Sequence, residues 1–224
     1  MAATTMLTIH AYAKLNLTLE VTGTRSDGYH SVATVLQTVD LKDILNLEHS
    51  PTISVECLLP ELDGEHNLVN QAANLLKKQT NYSEGARIYL EKRIPVSAGL
   101  GGGSSDAAAT LRGLNRLWDL RLTHKELHEL AIDLGTDVAF FLKGGTAFGE
   151  NKGEQLTPLP APEGEVKGLI LHPPIDIPTK TAVLYAELDS SYHTEGEHTR
   201  SLIQLLRNRN PITEELIFNG FEPI

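Results

Sequence analysis

The chain has 224 residues, a formal net charge of −10 and 41% hydrophobic residues. That length supports one large core or two small ones, and the acidic balance argues against nucleic acid as a partner, because phosphate backbones are held by clusters of Lys and Arg. No apolar stretch approaches the ~20 residues of a membrane helix, and the start, MAATTMLTIH, lacks the basic and apolar regions of a signal peptide. A single cysteine, Cys57, excludes an internal disulfide. These features predict a cytoplasmic protein without membrane attachment; monomer and homodimer are both left open by the sequence. A nucleotide ligand stays compatible with the charge, since backbone amides hold phosphates without net positive charge and Mg²⁺ neutralises part of the ligand.

From Ala11 to Val21 the sequence alternates strictly, with Ala11, Ala13, Leu15, Leu17, Leu19 and Val21 on one face. The other face carries Tyr12, Lys14, Asn16, Thr18 and Glu20. A half-buried strand is predicted, with Lys14 and Asn16 pointing the same way. After a turn at SDGYH (26–30), SVATVLQTVDLKDILNLE reads as further β-structure. Cys57, in the strand-like SVECLL, is expected in the core. Asn67 to Lys78 reads as a helix with an apolar stripe of Leu68, Ala72, Leu75 and Leu76, and Ala86 to Glu91 as a strand.

Next comes PVSAGLGGGSSD (95–106), followed at once by the helix-forming AAATLRGLNRLW. A glycine-rich loop opening onto a helix N-terminus lets the backbone approach an anion and points amides without intrahelical partners at it. Ser104, Ser105 and Asp106 suit the cap. A flexible glycine linker before a capped helix is the plainer alternative. The segment matches neither GxxxxGK[ST] nor GxGxxG after a strand. Ala107, Leu111, Leu114 and Trp118 form the buried stripe of the helix. Thr123 to Glu126 is a capping box that starts another helix, with Leu127, Leu130, Ala131 and Leu134 inward and Gly135 at its end. TDVAFFLKGG then puts Asp137 at a helix-to-loop junction.

Residues 151–165, NKGEQLTPLPAPEGE, change composition, and a domain boundary is placed there. A strand from Val166 to His172, a helix near Thr181 to Leu188 and another near Thr199 to Arg207 are expected beyond it. His124 and His128 lie at i and i+4, but HKELH is not HExxH, and they read as solvent-facing.

By residue type alone, Lys14 reads as a solvated strand charge and Asp137 as a turn residue. Tyr29 and His30 read as an exposed turn. The glycine loop resembles the ATP loop of the GHMP kinases (galactokinase, homoserine kinase, mevalonate kinase, phosphomevalonate kinase), in the longer form PxxxGLGGGSSxAA. AKLNLTLEVTGTRSDGYH (13–30) and LGTDVAFF (134–141) are similar to AKLNLxLxVxGxRxDGYH and LGADVPFF of the branch whose acceptor is a cytidine diphosphate-linked methylerythritol. Ala139 replaces the usual Pro.

The resemblance implies an α+β (α/β two-layer) fold, with an N-terminal domain like domain 2 of ribosomal protein S5 at 1–155 and an incomplete ferredoxin-like C-terminal domain at 156–224. It implies ATP and Mg²⁺, with Lys14 and Asp137 as the catalytic pair. Pro95, Val96, Ser97, Ala98, Gly99, Leu100, Gly101, Gly102, Gly103, Ser104 and Ser105 would cradle the nucleotide, with Ser105 nominated for Mg²⁺. Tyr29 would stack on the cytosine, His30 would hydrogen-bond it, and Asn16 would contact the methylerythritol hydroxyls. IDIPTKTAVLYAEL (175–188) supplies Thr179, with Thr181 as its alternative, and Tyr185 as a second stacking aromatic. The family carries a further glycine motif, TGSGxxxF. Since the sequence ends at NGFEPI, a truncated chain is expected, and with it two alternatives: nucleotide binding with impaired catalysis, or a different small alcohol acceptor.

Overall fold

The computed structural model describes residues 6–59, 62, 64, 67–172 and 180–223. Two long neighbouring strands organise the chain, β1 (Leu7–Thr24) and β2 (His30–Ser50). Both feed two compact units. One contains the chain up to Ala13 and Val39–Lys143, the other Lys14–Thr38 and Gly144–Ile224.

In the first unit, β4 (Gly85–Glu91) runs antiparallel to β2, from Ile44 opposite Glu91 to Ser50 opposite Gly85, and parallel to β3 (Ser54–Cys57). Among the described residues this unit carries the helices α1 (Leu68–Thr80), which precedes β4, and α2 (Gly102–Leu117), α3 (His124–Leu134) and α4 (Thr136–Lys143), which follow it. α2 packs against α1 and α4. It lies close on the strands at Gly113, where a Cβ would come within 3.1 Å of Ile9 and Leu47 side chains. Leu45, Leu47, Ile88, Leu111 and Leu114 are fully buried, and Trp118 closes the stripe of α2 as expected. The Thr123 capping box forms: its hydroxyl accepts from the Glu126 amide while the Glu126 carboxylate accepts from the Thr123 amide.

In the second unit, β5 (Thr146–Glu150) pairs antiparallel with β2 at Thr34–Gln37 and with β6 (Gln155–Leu159). The two-residue β7 (Phe218–Asn219) runs parallel to β1 at Thr18 and Leu19. Helices α5 (Lys180–Glu187) and α6 (Glu197–Arg207) complete it. Leu17 and Val35 pack with Leu202, Ile203 and Leu206 of α6, whose i, i+1, i+4 spacing makes one apolar stripe.

Several expectations change. Along 14–20 the expected polar face of β1 is largely buried, with Lys14 at 8% exposure and Thr18 and Glu20 at 0%; α6 brings polar partners to Thr18 and Glu20. The linker-like 151–165 contains a strand, β6, which among the described residues pairs with β5 alone, an edge position that tolerates Pro158. Val166 to His172 forms no strand; it pairs with nothing among the described residues, and Val166, Leu169 and Leu171 are exposed. Cys57 is half-buried rather than in the core. Val69 and Ala73 join Ala72 and Leu76 as the buried face of α1, leaving Leu68 and Leu75 half-buried.

Candidate functional site

In the first unit the glycine loop is a pinned structure rather than a linker. Ile94 and Leu100 are buried pegs at its two ends, while Val96, Ser97, Gly99 and Gly103 are exposed. Gly101 takes φ 69° as the N-cap of α2, a left-handed conformation that favours glycine. The amides of Gly102, Gly103 and Ser104 precede the first intrahelical bond, from the Ser105 amide to the Gly101 carbonyl. They are donors at the positive end of the helix dipole, suited to an anion.

Two sequence expectations for this loop are corrected. Ser104, Ser105 and Asp106 are not the cap: the helix starts at Gly102, so they lie within its first turns. Ser105 is 2% exposed and its hydroxyl donates to the Tyr12 carbonyl at 2.7 Å. That side chain faces the core, which does not fit a Mg²⁺ ligand.

Behind the loop stands a cluster that the motifs did not flag. Lys92 donates to Asp43 Oδ2 at 2.5 Å and to Asp106 Oδ2 at 2.8 Å, and all three side chains are at most 5% exposed. Asp43 Oδ1 accepts from the amides of Arg93 and Ile94, fixing the chain just before the loop. A Cβ on Gly102 would meet Lys92 Nζ at 3.1 Å and the Ile94 side chain at 3.0 Å, so the helix start packs tightly on the cluster there. One cation faces two carboxylates, and Asp43 is the better satisfied. Asp106 Oδ1 is buried without a hydrogen-bond partner. Burial, reinforced by the Asp43 charge against the pull of Lys92, pushes the Asp106 carboxyl up to about 8.

Asp137 belongs to the first turn of α4, a helix absent from the sequence reading, rather than to a helix-to-loop junction. There the dipole favours a carboxylate.

In the second unit Lys14 donates to Asn16 Oδ1 at 2.6 Å. Asn16 Nδ2 donates to Thr34 Oγ1 at 2.7 Å, and Thr34 donates to the Thr18 carbonyl at 2.6 Å. The relay fixes the Asn16 amide with its oxygen toward the ammonium. Tyr29 is 60% exposed at the turn between β1 and β2. The structure stacks His30 on Tyr185 with ring centroids 5.1 Å apart, and Tyr185 also meets Phe221 edge-on. Thr179 lies outside the described residues, as does the side chain of Thr181. Among the described residues one group of potential metal ligands gathers, Glu20, Glu197 and His198. Glu20 there accepts from the amides of His198 and Thr199 and from the Thr194 hydroxyl, which gives it a structural task. No described helix is long and apolar enough to cross a membrane.

Residues 67–145 match the family model of the GHMP kinases N terminal domain, the class that the glycine loop and the mixed architecture define. Proteins of one branch of that class match most of the chain. The chain is 45% identical over 204 residues to a 4-diphosphocytidyl-2-C-methyl-D-erythritol kinase of Caldanaerobacter subterraneus, covering 90% of this chain and 69% of the relative. It is 39% identical to the one of Dehalococcoides mccartyi, covering 98% and 77%, and 44% identical to that of Gloeobacter violaceus, covering 86% and 64%. A crystal structure of a 4-(cytidine 5'-diphospho)-2C-methyl-D-erythritol kinase superposes with a TM-score of 0.78 at 32% identity, covering 97% of this chain and 76% of that one. A homoserine kinase from Cytophaga hutchinsonii, 17% identical with a TM-score of 0.65, shares the fold. The chain therefore belongs to the 4-diphosphocytidyl-2-C-methyl-D-erythritol kinase family of GHMP kinases. It spans about two thirds to three quarters of the length of these relatives.

Proposed function

We propose that the protein transfers the γ-phosphoryl group of ATP to the 2-hydroxyl of 4-diphosphocytidyl-2-C-methyl-D-erythritol, a step toward isoprenoid precursors. The observation that carries this reading is Lys14, 8% exposed and oriented by Asn16 within AKLNLTLEVTGTRSDGYH, in a chain whose relatives bear that enzyme's name. A lysine so held is built for a task other than solvation.

Phosphoryl transfer needs positioning, neutralisation of charge and a group to take the hydroxyl proton. The amides at the start of α2 hold the triphosphate. Asp137 accepts the proton of the attacking hydroxyl. Lys14 stabilises charge on that oxygen and on the transferring group. Asn16, whose Oδ1 holds Lys14, also faces the acceptor's hydroxyls. Tyr29 stacks on the cytosine, with His30 reading its edge and Tyr185 supporting the His30 ring. Mg²⁺ accompanies ATP as charge compensation. Because the Ser105 hydroxyl is committed to Tyr12, no step is assigned to a protein-held metal. A cytoplasmic location goes with this reading.

The test is product formation by the purified protein with ATP and Mg²⁺. Phosphorylation of the cytidyl alcohol, with mevalonate and homoserine left unreacted, is expected. Turnover of either alternative but not of the cytidyl alcohol would replace the acceptor while leaving a kinase.

A further inference from the structure

Tyr29 is exposed at 60%, yet one face of its ring is taken. Lys152 Nζ lies 4.0 Å from the ring centroid. The same ammonium is 3.1 Å from Asp27 Oδ2, and Asp27 Oδ1 in turn accepts from the Tyr29 amide at 3.2 Å and from Arg25 Nε at 3.3 Å. Arg25 closes the turn through its amide to the Tyr29 carbonyl at 2.8 Å. Lys152 is itself delivered by a hydrogen-bonded turn between β5 and β6. Asn151 sits at φ 60°, Gly153 donates to the Glu150 carbonyl, and the Asn151 carbonyl accepts from the Val32 amide at 2.7 Å. The Lys152 hydrogen bond, with the Tyr29 amide and the Arg25 charge, holds Asp27 below its usual carboxylate range.

We infer that Lys152 is a positioning residue for recognition of the substrate's base: by covering one face of the Tyr29 ring and tying it to Asp27, it leaves a single, pre-oriented face for a cytosine. The inference rests on the proposed role of Tyr29. An exposed phenol otherwise samples several rotamers, and ordering it on binding costs free energy that a pre-set ring avoids. Lys152 acts through the ring and does not itself touch the base.

The experiment is a double-mutant cycle on the full chain. Binding of 4-diphosphocytidyl-2-C-methyl-D-erythritol and of a non-hydrolysable ATP analogue is measured for wild type, Lys152→Met, Tyr29→Ala and the double variant. Methionine keeps the apolar stem and removes the charge. An exposed cation–π contact is worth about 0.5–1 kcal/mol, so Lys152→Met should weaken cytidyl binding about two- to fivefold and leave ATP-analogue affinity unchanged. In the Tyr29→Ala background it should add nothing. Lys152→Arg should restore wild-type affinity, because a guanidinium can cover the ring and pair with Asp27. A loss of the same size with and without Tyr29 would show that Lys152 meets the ligand directly and would overturn the inference. So would unchanged affinity in Lys152→Met while Tyr29→Ala binds weakly. If Tyr29→Ala itself binds normally, the base-stacking reading fails and this inference with it.

Discussion

Lys14 and Asn16, two residues apart on one face of β1, form a 2.6 Å hydrogen bond in which the ammonium donates to the amide oxygen. Strand geometry makes the pair possible, since side chains at i and i+2 share a face. Thr34, on the neighbouring strand, makes it specific by accepting from the other end of the Asn16 amide. The sequence motif thus encodes an oriented ammonium and not only a lysine.

Asn16→Ala should therefore act on catalysis through Lys14. A hydrogen bond to a charged group contributes about 1.5–3 kcal/mol, and its loss should lower kcat on the order of tenfold or more, with KM for ATP nearly constant. Steady-state kinetics with both substrates varied would check it. A variant with unchanged kcat would remove Asn16 from the positioning of Lys14.

Asp137 and Tyr29 should separate chemistry from recognition. Asp137→Ala should reduce kcat by ~10²–10⁴-fold, the usual range for a general base, while cytidyl-substrate binding is nearly kept. Tyr29→Ala should do the reverse: loss of one stacking face removes about 1–3 kcal/mol, or roughly five- to 150-fold in substrate affinity, with ATP binding intact. Titration calorimetry on both variants distinguishes these outcomes. Abolished cytidyl binding in Asp137→Ala, or a selective loss of ATP binding in Tyr29→Ala, would reverse the assignments.

What the sequence made legible follows from the range over which its signals act. The strand at β1, the Thr123–Glu126 box and the α2 stripe follow from local patterns, and each appears in the structure. Burial of the polar face of β1 is not local, because the partners of Thr18 and Glu20 come from α6, far along the chain. The Lys92 cluster joins side chains 49 and 14 residues apart, and no spacing rule links them. The available hint was a Lys–Arg pair directly before a phosphate-type loop in an acidic protein. Helix α4 went unseen because an eight-residue segment of mostly apolar residues has no resolvable period. β6 was hidden by the prolines around it.

The Asp106 cluster has a pH signature. The folded carboxyl is raised from 3.8 to about 8, whereas the unfolded one titrates near the lower value. Between those values the native state binds a proton that the unfolded state has released, so this group's contribution to stability declines as pH rises from about 4 toward about 8. Above that it levels off, because both states are ionised. Asp106→Asn keeps the shape and stays neutral at every pH, leaving Lys92 paired with Asp43. Urea unfolding of wild type and Asp106→Asn at several pH values between about 5.5 and 8.5 should give a shallower decline of stability for the variant. Equal slopes would show that Asp106 is ionised throughout.

Glu20, in the later part of β1, ties that strand to the start of α6. Its carboxylate, 0% exposed, accepts from the Thr199 amide at 2.7 Å, the His198 amide at 3.4 Å and the Thr194 hydroxyl at 2.9 Å. A buried anion at a helix N-terminus satisfies amides that have no intrahelical partner and lies at the favourable end of the dipole. Gly196, the N-cap of α6, makes no side-chain cap bond of its own, which leaves that duty to Glu20. Glu20→Gln preserves the shape but turns an amide NH₂ group toward other donors, and Glu20→Ala leaves the amides without an acceptor. Each should destabilise the fold by about 1–3 kcal/mol. The contrast between them is the informative measurement: if charge and acceptor count both matter, Glu20→Asp, which keeps the carboxylate on a shorter stem, should retain more stability than either in chemical denaturation. Full stability in Glu20→Gln would mean that a single amide oxygen serves the α6 amides and that the charge is dispensable.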